Sequence, residues 1–210
     1  MKLYGYYRSS ASYRVRIALN LKDLPVECAP VHLLRGEQRR AEFLAQNPQG
    51  LIPALELDDG TMLTQSLAII EYLDALHPEP RLIPADVKLA AKVRAVALAI
   101  ACDIHPLNNL RVLDYLKSKF NLGQEEVGAW ARNWLLKGGL EPVEQMIDPA
   151  PFCFGVSPTL ADVCLVPQLF NARRFAAPLD HLPKIKAVEA ACATLPAFRA
   201  AQPSQQGDAE

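Results

Sequence analysis

Three serines and two arginines lie where the first predicted strand passes into the first predicted helix. Residues 8–14 read Arg8-Ser9-Ser10-Ala11-Ser12-Tyr13-Arg14. At such a junction the first backbone N–H groups of the helix lack intrahelical partners, and the helix dipole favours negative charge. A serine hydroxyl placed there can donate a hydrogen bond to an anion, including a thiolate. A serine that only caps the helix is the simpler interpretation, and for this loop alone we favour it.

A proline precedes the third predicted strand, at residues 54–57, and follows a tight turn at Gln49-Gly50. If the Ile52–Pro53 bond were cis, the amide of Ile52 would point outward and could pair with an extended peptide ligand. Only ~5% of X–Pro bonds in folded proteins are cis. The local sequence therefore favours an ordinary proline at the start of a strand.

Gln65 and Ser66 open a third predicted helix at residues 66–76. The Ser66 hydroxyl and the N–H groups of the first turn could hold a carboxylate. A plain helix cap explains this pattern equally well.

These segments belong to a region, residues 1–80, in which strands and helices alternate. Apolar periodicity predicts strands at 2–6, 26–32, 54–57 and 62–63, and helices at 10–22, 38–46 and 66–76. Asp58-Asp59-Gly60 between the last two strands indicates a hairpin. The order predicts a small mixed sheet covered by helices.

A proline-rich segment at residues 77–84 is the best candidate for a domain boundary. Helical patterns follow it at 86–119, with a bend at Pro106, and at 124–147, with an irregularity at Gly138-Gly139. Two more are predicted at 159–174 and 184–195, and the polar tail after Ala201 is expected to fray. The second domain is therefore placed at 86–210 and is expected to be all-helical. Thr159-Leu160-Ala161-Asp162 has the form of a capping box and is expected to be structural.

Composition narrows the classes of function. The chain has 210 residues, 50% of them hydrophobic, and a formal net charge of −1, which argues against binding to nucleic acid or a membrane surface. The five cysteines are scattered, and neither they nor the four histidines have the spacing of metal ligands. No signal-peptide pattern precedes the first strand. We expect a globular protein of the reducing cytoplasm, with no disulfide framework and no metal.

The three candidate segments occur together in the thioredoxin-like fold, and the chain resembles the zeta class of glutathione transferases, the maleylacetoacetate isomerase group. The run Ser-Ser-Cys-Ser-Trp-Arg-Val-Arg-Ile-Ala-Leu of that class is matched by residues 9–19, which read Ser-Ser-Ala-Ser-Tyr-Arg-Val-Arg-Ile-Ala-Leu. Asn47-Pro48, Ile52-Pro53 and the segments 65–73 and 103–113 also match. The similarity covers nearly the whole chain.

The resemblance implies a glutathione transferase fold, with an α/β thioredoxin-like domain at 1–80 that binds glutathione and an all-α domain at 86–210 that binds substrate. It implies a homodimer that uses glutathione to isomerise 4-maleylacetoacetate to 4-fumarylacetoacetate in tyrosine and phenylalanine catabolism. In this chemistry a thiolate adds reversibly to the alkene, so that the former double bond can rotate. Two departures are Ala11 and Tyr13, which replace the cysteine and tryptophan of the class. The thiol must then come from glutathione.

The resemblance also assigns residues. Ser9, with Ser10 close behind, and Arg174 are the implied catalytic residues, and Arg174 is also an implied substrate ligand. Arg8 is a second candidate substrate ligand, because it is positively charged and flanks the serine loop. The implied glutathione-binding residues are Ser9, Ser10, Ala11, Ser12, Tyr13, Arg14, Gln38, Ile52, Gln65, Ser66, His105, Asn109 and Arg111, the last three acting in part across the dimer interface.

The arginines Arg8, Arg14, Arg16 and Arg174 could together surround a small acidic molecule, since their guanidinium groups pair well with carboxylates. Structural ion pairs are the alternative for Arg14 and Arg16, and we favour that alternative for Arg16. Arg173 is expected to be solvated.

Three other functions remain open: a maleylpyruvate isomerase of gentisate catabolism, a zeta-class transferase or dehalogenase that acts on small halo-acids, and a glutathione-binding protein without catalysis.

Overall fold

The computed structural model describes residues 1–210, which divide into two compact units. The first unit comprises Met1–Leu82 together with Ala193–Glu210, and the second comprises Ile83–Cys192. The break between them falls within the predicted boundary segment. The sequence-based division at 86–210 differs from this one at its end, because residues 193–210 pack with the first unit.

The first unit is built on a four-stranded mixed sheet, as predicted. Its strands are β1 (Lys2–Gly5), β2 (Glu27–Pro30), β3 (Ala54–Glu56) and β4 (Met62–Thr64), in the order β2-β1-β3-β4. Strand β2 runs parallel to β1, whereas β3 is antiparallel to both β1 and β4. The helices are α1 (Ser10–Leu21), α2 (Ala41–Gln46) and α3 (Ser66–Leu76).

Three predicted helices, at 38–46, 86–119 and 124–147, are divided in the structure. The predicted helix at 38–46 is shorter, because Arg40 has an extended backbone that separates the 3₁₀ turn Glu37–Arg39 from α2. The predicted helix at 86–119 is divided into α4 (Val87–Leu98), a π-helical turn Ala99–Ile104, a 3₁₀ turn His105–Asn108 and α5 (Leu110–Phe120). This interruption lies at Pro106, whose nitrogen carries no hydrogen to donate.

The remaining helices of the second unit are α6 (Gln124–Leu135), α7 (Glu141–Met146), α8 (Leu160–Arg174) and α9 (Pro183–Ala193). A π-helical turn, Leu136–Leu140, separates α6 from α7 at the glycine pair where an irregularity is predicted. Two short strands, β5 (Asp148–Pro149) and β6 (Phe154–Gly155), are absent from the sequence prediction. None of the helices combines the length and the apolar character that a bilayer crossing needs.

The capping box at the start of α8 is confirmed. The backbone N–H and the hydroxyl of Thr159 both donate to Asp162 Oδ2, at 2.7 and 2.9 Å. The other carboxylate oxygen accepts from the backbone N–H of Cys153 at 2.7 Å. Burial raises the pKa of the Asp162 carboxyl, although these hydrogen bonds act in the opposite direction.

Helix α1 is buried along most of its length, and the last helix of the chain covers one side of it. Its predicted apolar residues Val15, Ala18 and Leu19 are buried. A further helix, α10 (Pro196–Ala200), packs on α1 and buries Phe198. Helix α10 thus covers a second face of α1. The expectation that the chain frays after Ala201 is also wrong, because Pro203 is buried and Asp208 accepts a hydrogen bond from the backbone N–H of Tyr7.

A buried ammonium group joins α1 to the end of α3 and to the segment that follows it. Lys22 Nζ donates to Asp74 Oδ1 at 2.8 Å and to the carbonyls of His77 and Pro80 at 2.6 and 3.1 Å. The same carboxylate oxygen accepts from the backbone N–H of Leu82 at 2.8 Å. This network fixes residues 77–82, where the chain leaves the first unit, against α1 and α3.

Replacing Lys22 with methionine should lower the free energy of unfolding by about 3–5 kcal/mol, because Asp74 would remain buried without its cation. Urea unfolding followed by circular dichroism measures this loss. Lys186→Met is the matched control, since Lys186 pairs with Asp180 at 2.8 Å on an exposed surface. Such exposed pairs contribute only about 0–1 kcal/mol. Equal losses in the two variants would contradict this account.

Candidate functional site

Ser9 begins helix α1 and keeps a donor available. Its backbone is extended, and its Oγ accepts from the backbone N–H of Ser12 at 3.2 Å. Its own N–H donates to the carbonyl of Tyr6 at 2.9 Å. The helix cap is thus real, but it uses the hydroxyl oxygen only as an acceptor. The hydroxyl hydrogen of Ser9 remains able to donate to an anion at the positive end of the helix.

The other residues of the serine loop divide by exposure. Ser10, Ser12 and Tyr13 are buried, whereas Ser9 and Ala11 are partly exposed. Ser12 Oγ has no hydrogen-bond partner, and a Cβ at Gly5 would lie 3.2 Å from it. An external ligand therefore reaches the side chains of Ser9 and Ala11 and the backbone of the first turn. The side chains of Ser10 and Ser12 lie deeper in the protein.

The register of the sheet brings the three candidate segments to one edge. Tyr4 of β1 pairs with Ala54 of β3, and Ala54 pairs with Thr64 of β4. Strand β1 leaves the sheet beyond this row toward Ser9, β3 enters from Ile52, and β4 leaves toward Gln65. Segments that are far apart in the sequence therefore share one end of the sheet, as a single binding site requires.

At this edge Ile52 offers a backbone donor and a backbone acceptor. The Ile52–Pro53 bond is cis, the arrangement that the local sequence did not favour. Neither the N–H nor the carbonyl of Ile52 forms a hydrogen bond within the protein. Asn47 supports the preceding turn, since its Nδ2 donates to the carbonyl of Leu51 at 2.6 Å. An extended peptide could pair with both groups of Ile52.

Gln38 and Gly50 approach each other beside this turn. A Cβ at Gly50, where φ is +60°, would lie 3.0 Å from the carbonyl oxygen of Gln38. The side chain of Gln38 is buried, and its Oε1 has no hydrogen-bond partner.

The start of α3 has a strained backbone and a buried arginine beneath it. Gln65 has φ 68° and ψ 117°, a conformation that non-glycine residues rarely adopt and that often accompanies functional sites. Its Nε2 donates to Gln49 Oε1 at 2.9 Å. Ser66 is buried, and its Oγ accepts from Arg14 Nη1 at 3.3 Å. Sequence patterns gave no sign of the strain at Gln65.

The arginines do not form one group in the first unit. Arg14 is only 1% exposed and contacts Ser66, so it orients the start of α3 from inside the protein. Arg16 is buried and donates to backbone carbonyls, a structural role as favoured, although its partners are carbonyls and not carboxylates. Arg8 is partly exposed, with its guanidinium 5.0 Å from the ring centroid of Tyr7. Of these three, Arg8 is placed best to meet a solute.

The remaining predicted residues lie in the second unit, described by itself. His105 begins the 3₁₀ turn at the interrupted helix, and Asn109 caps α5 by accepting from the N–H of Arg111 at 3.1 Å. Arg111 and Arg174 are exposed. Arg173 is exposed as expected, and it also pairs with Glu189. The implied approach of His105, Asn109, Arg111 and Arg174 to the ligand stays a prediction.

No cysteine lies in the serine loop. None of the five cysteines forms a disulfide, and Cys153, Cys164 and Cys192 are buried in the second unit. Burial raises the pKa of the Cys153 and Cys192 thiols, which keeps both protonated. A sulfur nucleophile at the amino-terminal end of α1 would therefore have to come from a ligand.

A family model for the N-terminal domain of glutathione S-transferases matches residues 3–81, the segment that carries the sheet and the three candidate segments. Together with the helical second unit, this match defines the class of protein as a glutathione S-transferase.

Comparison with individual proteins shows to which group of glutathione S-transferases the chain belongs. Over 210 residues the chain is 50% identical to maleylacetoacetate isomerase from Pseudomonas aeruginosa, covering 99% of this chain and 98% of that one. A holo structure of maleylpyruvate isomerase, described as a bacterial zeta-class glutathione S-transferase, is 46% identical with a TM-score of 0.96 over 100% of both chains. Maleylacetoacetate isomerase from Methylobacterium extorquens AM1, solved with bound malonate and glutathione, is 36% identical with a TM-score of 0.96 over 100% of both chains. The chain therefore belongs to the maleylacetoacetate isomerase family of zeta-class glutathione transferases, which confirms the resemblance and the fold.

Proposed function

We propose that this chain is a glutathione-dependent cis–trans isomerase that converts 4-maleylacetoacetate to 4-fumarylacetoacetate. The observation that carries the proposal is the hydroxyl of Ser9, which keeps a donor at the positive end of α1 where the chain itself has no thiol. The 50% identity to a maleylacetoacetate isomerase over nearly the full length of both chains supports the choice of substrate.

Glutathione fits the groups at this edge of the sheet. It is a short peptide that carries one thiol in its middle and one carboxylate at each end. The unpaired N–H and carbonyl of Ile52 match its backbone, and the N–H groups that begin α3 at Ser66 suit a carboxylate. Gln65 and Gln38 flank these positions, while Arg14 acts through Ser66. His105, Asn109 and Arg111 are proposed to approach glutathione in part from a second copy of the chain.

When bound, glutathione supplies the thiolate that adds to the alkene and leaves again after the former double bond has rotated. Ser9 donates its hydroxyl hydrogen to the sulfur and, with the helix dipole, lowers the pKa of that thiol. Arg8 and Arg174 bind the carboxylates of a small acidic substrate and stabilise the negative charge that develops beside them. Ser10, buried beside Ser9, supports the loop.

Maleylpyruvate is the second candidate substrate. The holo structure of a maleylpyruvate isomerase matches the whole chain with a TM-score of 0.96 and 46% identity, so both chemistries occur on closely similar backbones. Maleylpyruvate is a shorter molecule with the same activated alkene, and the same residues of this chain could serve it. A transferase that acts on small halo-acids and a glutathione-binding protein without catalysis are further outcomes of the experiments below.

We further propose a homodimer in the cytoplasm that serves tyrosine and phenylalanine catabolism. One side of α4 supports the dimer, because Ala91, Ala95 and Leu98 recur at helical spacing and are all exposed. A second copy packed on this side would bury them.

Purified protein with glutathione should turn over maleylacetoacetate with a higher kcat/KM than maleylpyruvate, as followed by the absorbance of substrate and product. Omitting glutathione should abolish turnover, because no thiol of the chain lies in the serine loop. Turnover of maleylpyruvate without any of maleylacetoacetate would overturn the choice of substrate. Bound glutathione with no turnover of either compound would favour the non-catalytic alternative.

Ser9→Ala should reduce kcat/KM by about 10²-fold, the usual loss when one donor to a developing anion is removed. Glutathione should still bind, as measured by calorimetry, because Ile52 and the start of α3 are unchanged. Ser157→Ala, a change of the same kind at an exposed serine outside the proposed site, is the control. Full turnover by Ser9→Ala would remove Ser9 from the mechanism.

A further inference from the structure

The last ten residues of the chain are anchored on the first unit, although their sequence is polar. Pro203 is buried, and Gln206 Nε2 donates to the carbonyls of Ala200 and Gln202 at 2.9 Å each. At the very end, Glu210 lies 2.8 Å from Arg35 and 3.3 Å from His32. This segment, residues 201–210, is called the tail below.

Arg16 connects the tail to the strand that leads into the serine loop. Its Nε donates to the carbonyl of Ala201 at 3.1 Å, and its Nη2 donates to the carbonyl of Tyr7 at 3.1 Å. Its Nη1 donates to the carbonyl of Tyr6 at 3.5 Å. Burial lowers the pKa of the Arg16 guanidinium to about 10, and the carboxylate of Asp208 opposes that change.

Asp208 completes this arrangement from the tail. Its Oδ2 accepts from the backbone N–H of Tyr7 at 3.0 Å. Tyr7 lies beyond the end of β1, so its N–H has no partner in the sheet, and the residue is buried away from water. Without Asp208 this N–H would be left unsatisfied in the interior, which proteins rarely tolerate.

One peptide group lies between Asp208 and Ser9. The Tyr6–Tyr7 peptide consists of the carbonyl of Tyr6 and the N–H of Tyr7. The carbonyl accepts from the N–H of Ser9 at 2.9 Å, and the N–H donates to Asp208. The two ends of one rigid plane are thus held by the residue proposed for catalysis and by the tail. Any rotation of that plane moves the acceptor of Ser9.

We infer that Asp208 is a positioning residue for Ser9. Through the Tyr6–Tyr7 peptide, and together with Arg16, it fixes the turn from β1 into α1 and so sets where the Ser9 hydroxyl lies. The inference rests on the proposed function for its catalytic consequence, although the contact itself does not. Small errors of position are costly at such a site, since a displacement of about 1 Å can reduce a rate by 10²-fold.

The test compares Asp208→Ala, Asp208→Asn and Gln205→Ala. Gln205 is an exposed tail residue whose side chain forms no hydrogen bond with the protein, so its variant controls for a change in the tail as such. Asparagine retains an oxygen that can accept from Tyr7. Hydrogen exchange of the Tyr7 and Ser9 amides in the ligand-free protein reports the turn directly. The ultraviolet absorbance of the thiolate of bound glutathione, measured against pH, reports the ionisation of its sulfur.

In Asp208→Ala we expect the Tyr7 amide to exchange at least about tenfold faster, because its hydrogen bond is lost. The thiolate titration of bound glutathione should move to higher pH, and kcat/KM should fall about tenfold while glutathione still binds. Asp208→Asn should recover most of each loss, and Gln205→Ala should match the wild-type protein.

Wild-type exchange at Tyr7 and a wild-type thiolate titration in Asp208→Ala would overturn the inference. A lower thermal midpoint and lower activity with an unchanged thiolate titration would also overturn it, because the role would then be structural only. If Asp208→Ala does not fold, the wild-type protein decides: rapid exchange of its Tyr7 amide contradicts the contact. Failure of the proposed function gives a different result from failure of this inference. In that case the wild-type protein would turn over neither substrate, while Asp208→Ala would still speed exchange of the Tyr7 amide.

Discussion

The amino-terminal end of helix α1 must stay open to a ligand while the rest of the helix is enclosed. Little of α1 is in contact with water, since α3 and α10 pack against it, and Ser9 at its start is only partly covered. A helix enclosed in this way is normally apolar on every side. Helix α1 instead carries Arg14 and Arg16 within its buried length, and Lys22 follows its last turn. These three cations bind groups from other parts of the first unit.

Each cation holds a different part of the first unit, and Arg14 and Arg16 are the two that lie near the site. Arg14 contacts Ser66 at the start of α3, Arg16 binds the carbonyls before Ser9, and Lys22 binds Asp74 at the end of α3. A buried charge without partners is costly, so each contact permits few orientations of the groups that it joins. The open end of α1 is therefore supported by directional bonds as well as by apolar packing, and the position of a bound sulfur depends on those bonds.

The sequence predicted what local patterns determine. Helix α3 has the predicted limits, the hairpin at Asp59-Gly60 is present, and the long helix is interrupted at Pro106, where a bend is predicted. A proline and a regular apolar period both act within a few residues, so local sequence shows them. Patterns of this kind show one face of a helix, so they could not reveal that α1 has a second buried face or that α10 covers it. The contact of Arg14 with Ser66 joins residues 52 positions apart, and only the folded sheet brings them together. The cis bond before Pro53 likewise had no local signal that outweighed the trans preference.

The central claim is that the start of α1 and the backbone of Ile52 together hold glutathione. A crystal structure of this protein with glutathione tests it most directly. The account predicts the sulfur within hydrogen-bonding distance of Ser9 Oγ, and the ligand backbone paired with the N–H and carbonyl of Ile52. Glutathione bound elsewhere, or a sulfur turned away from Ser9 with Ile52 still unpaired, would contradict it.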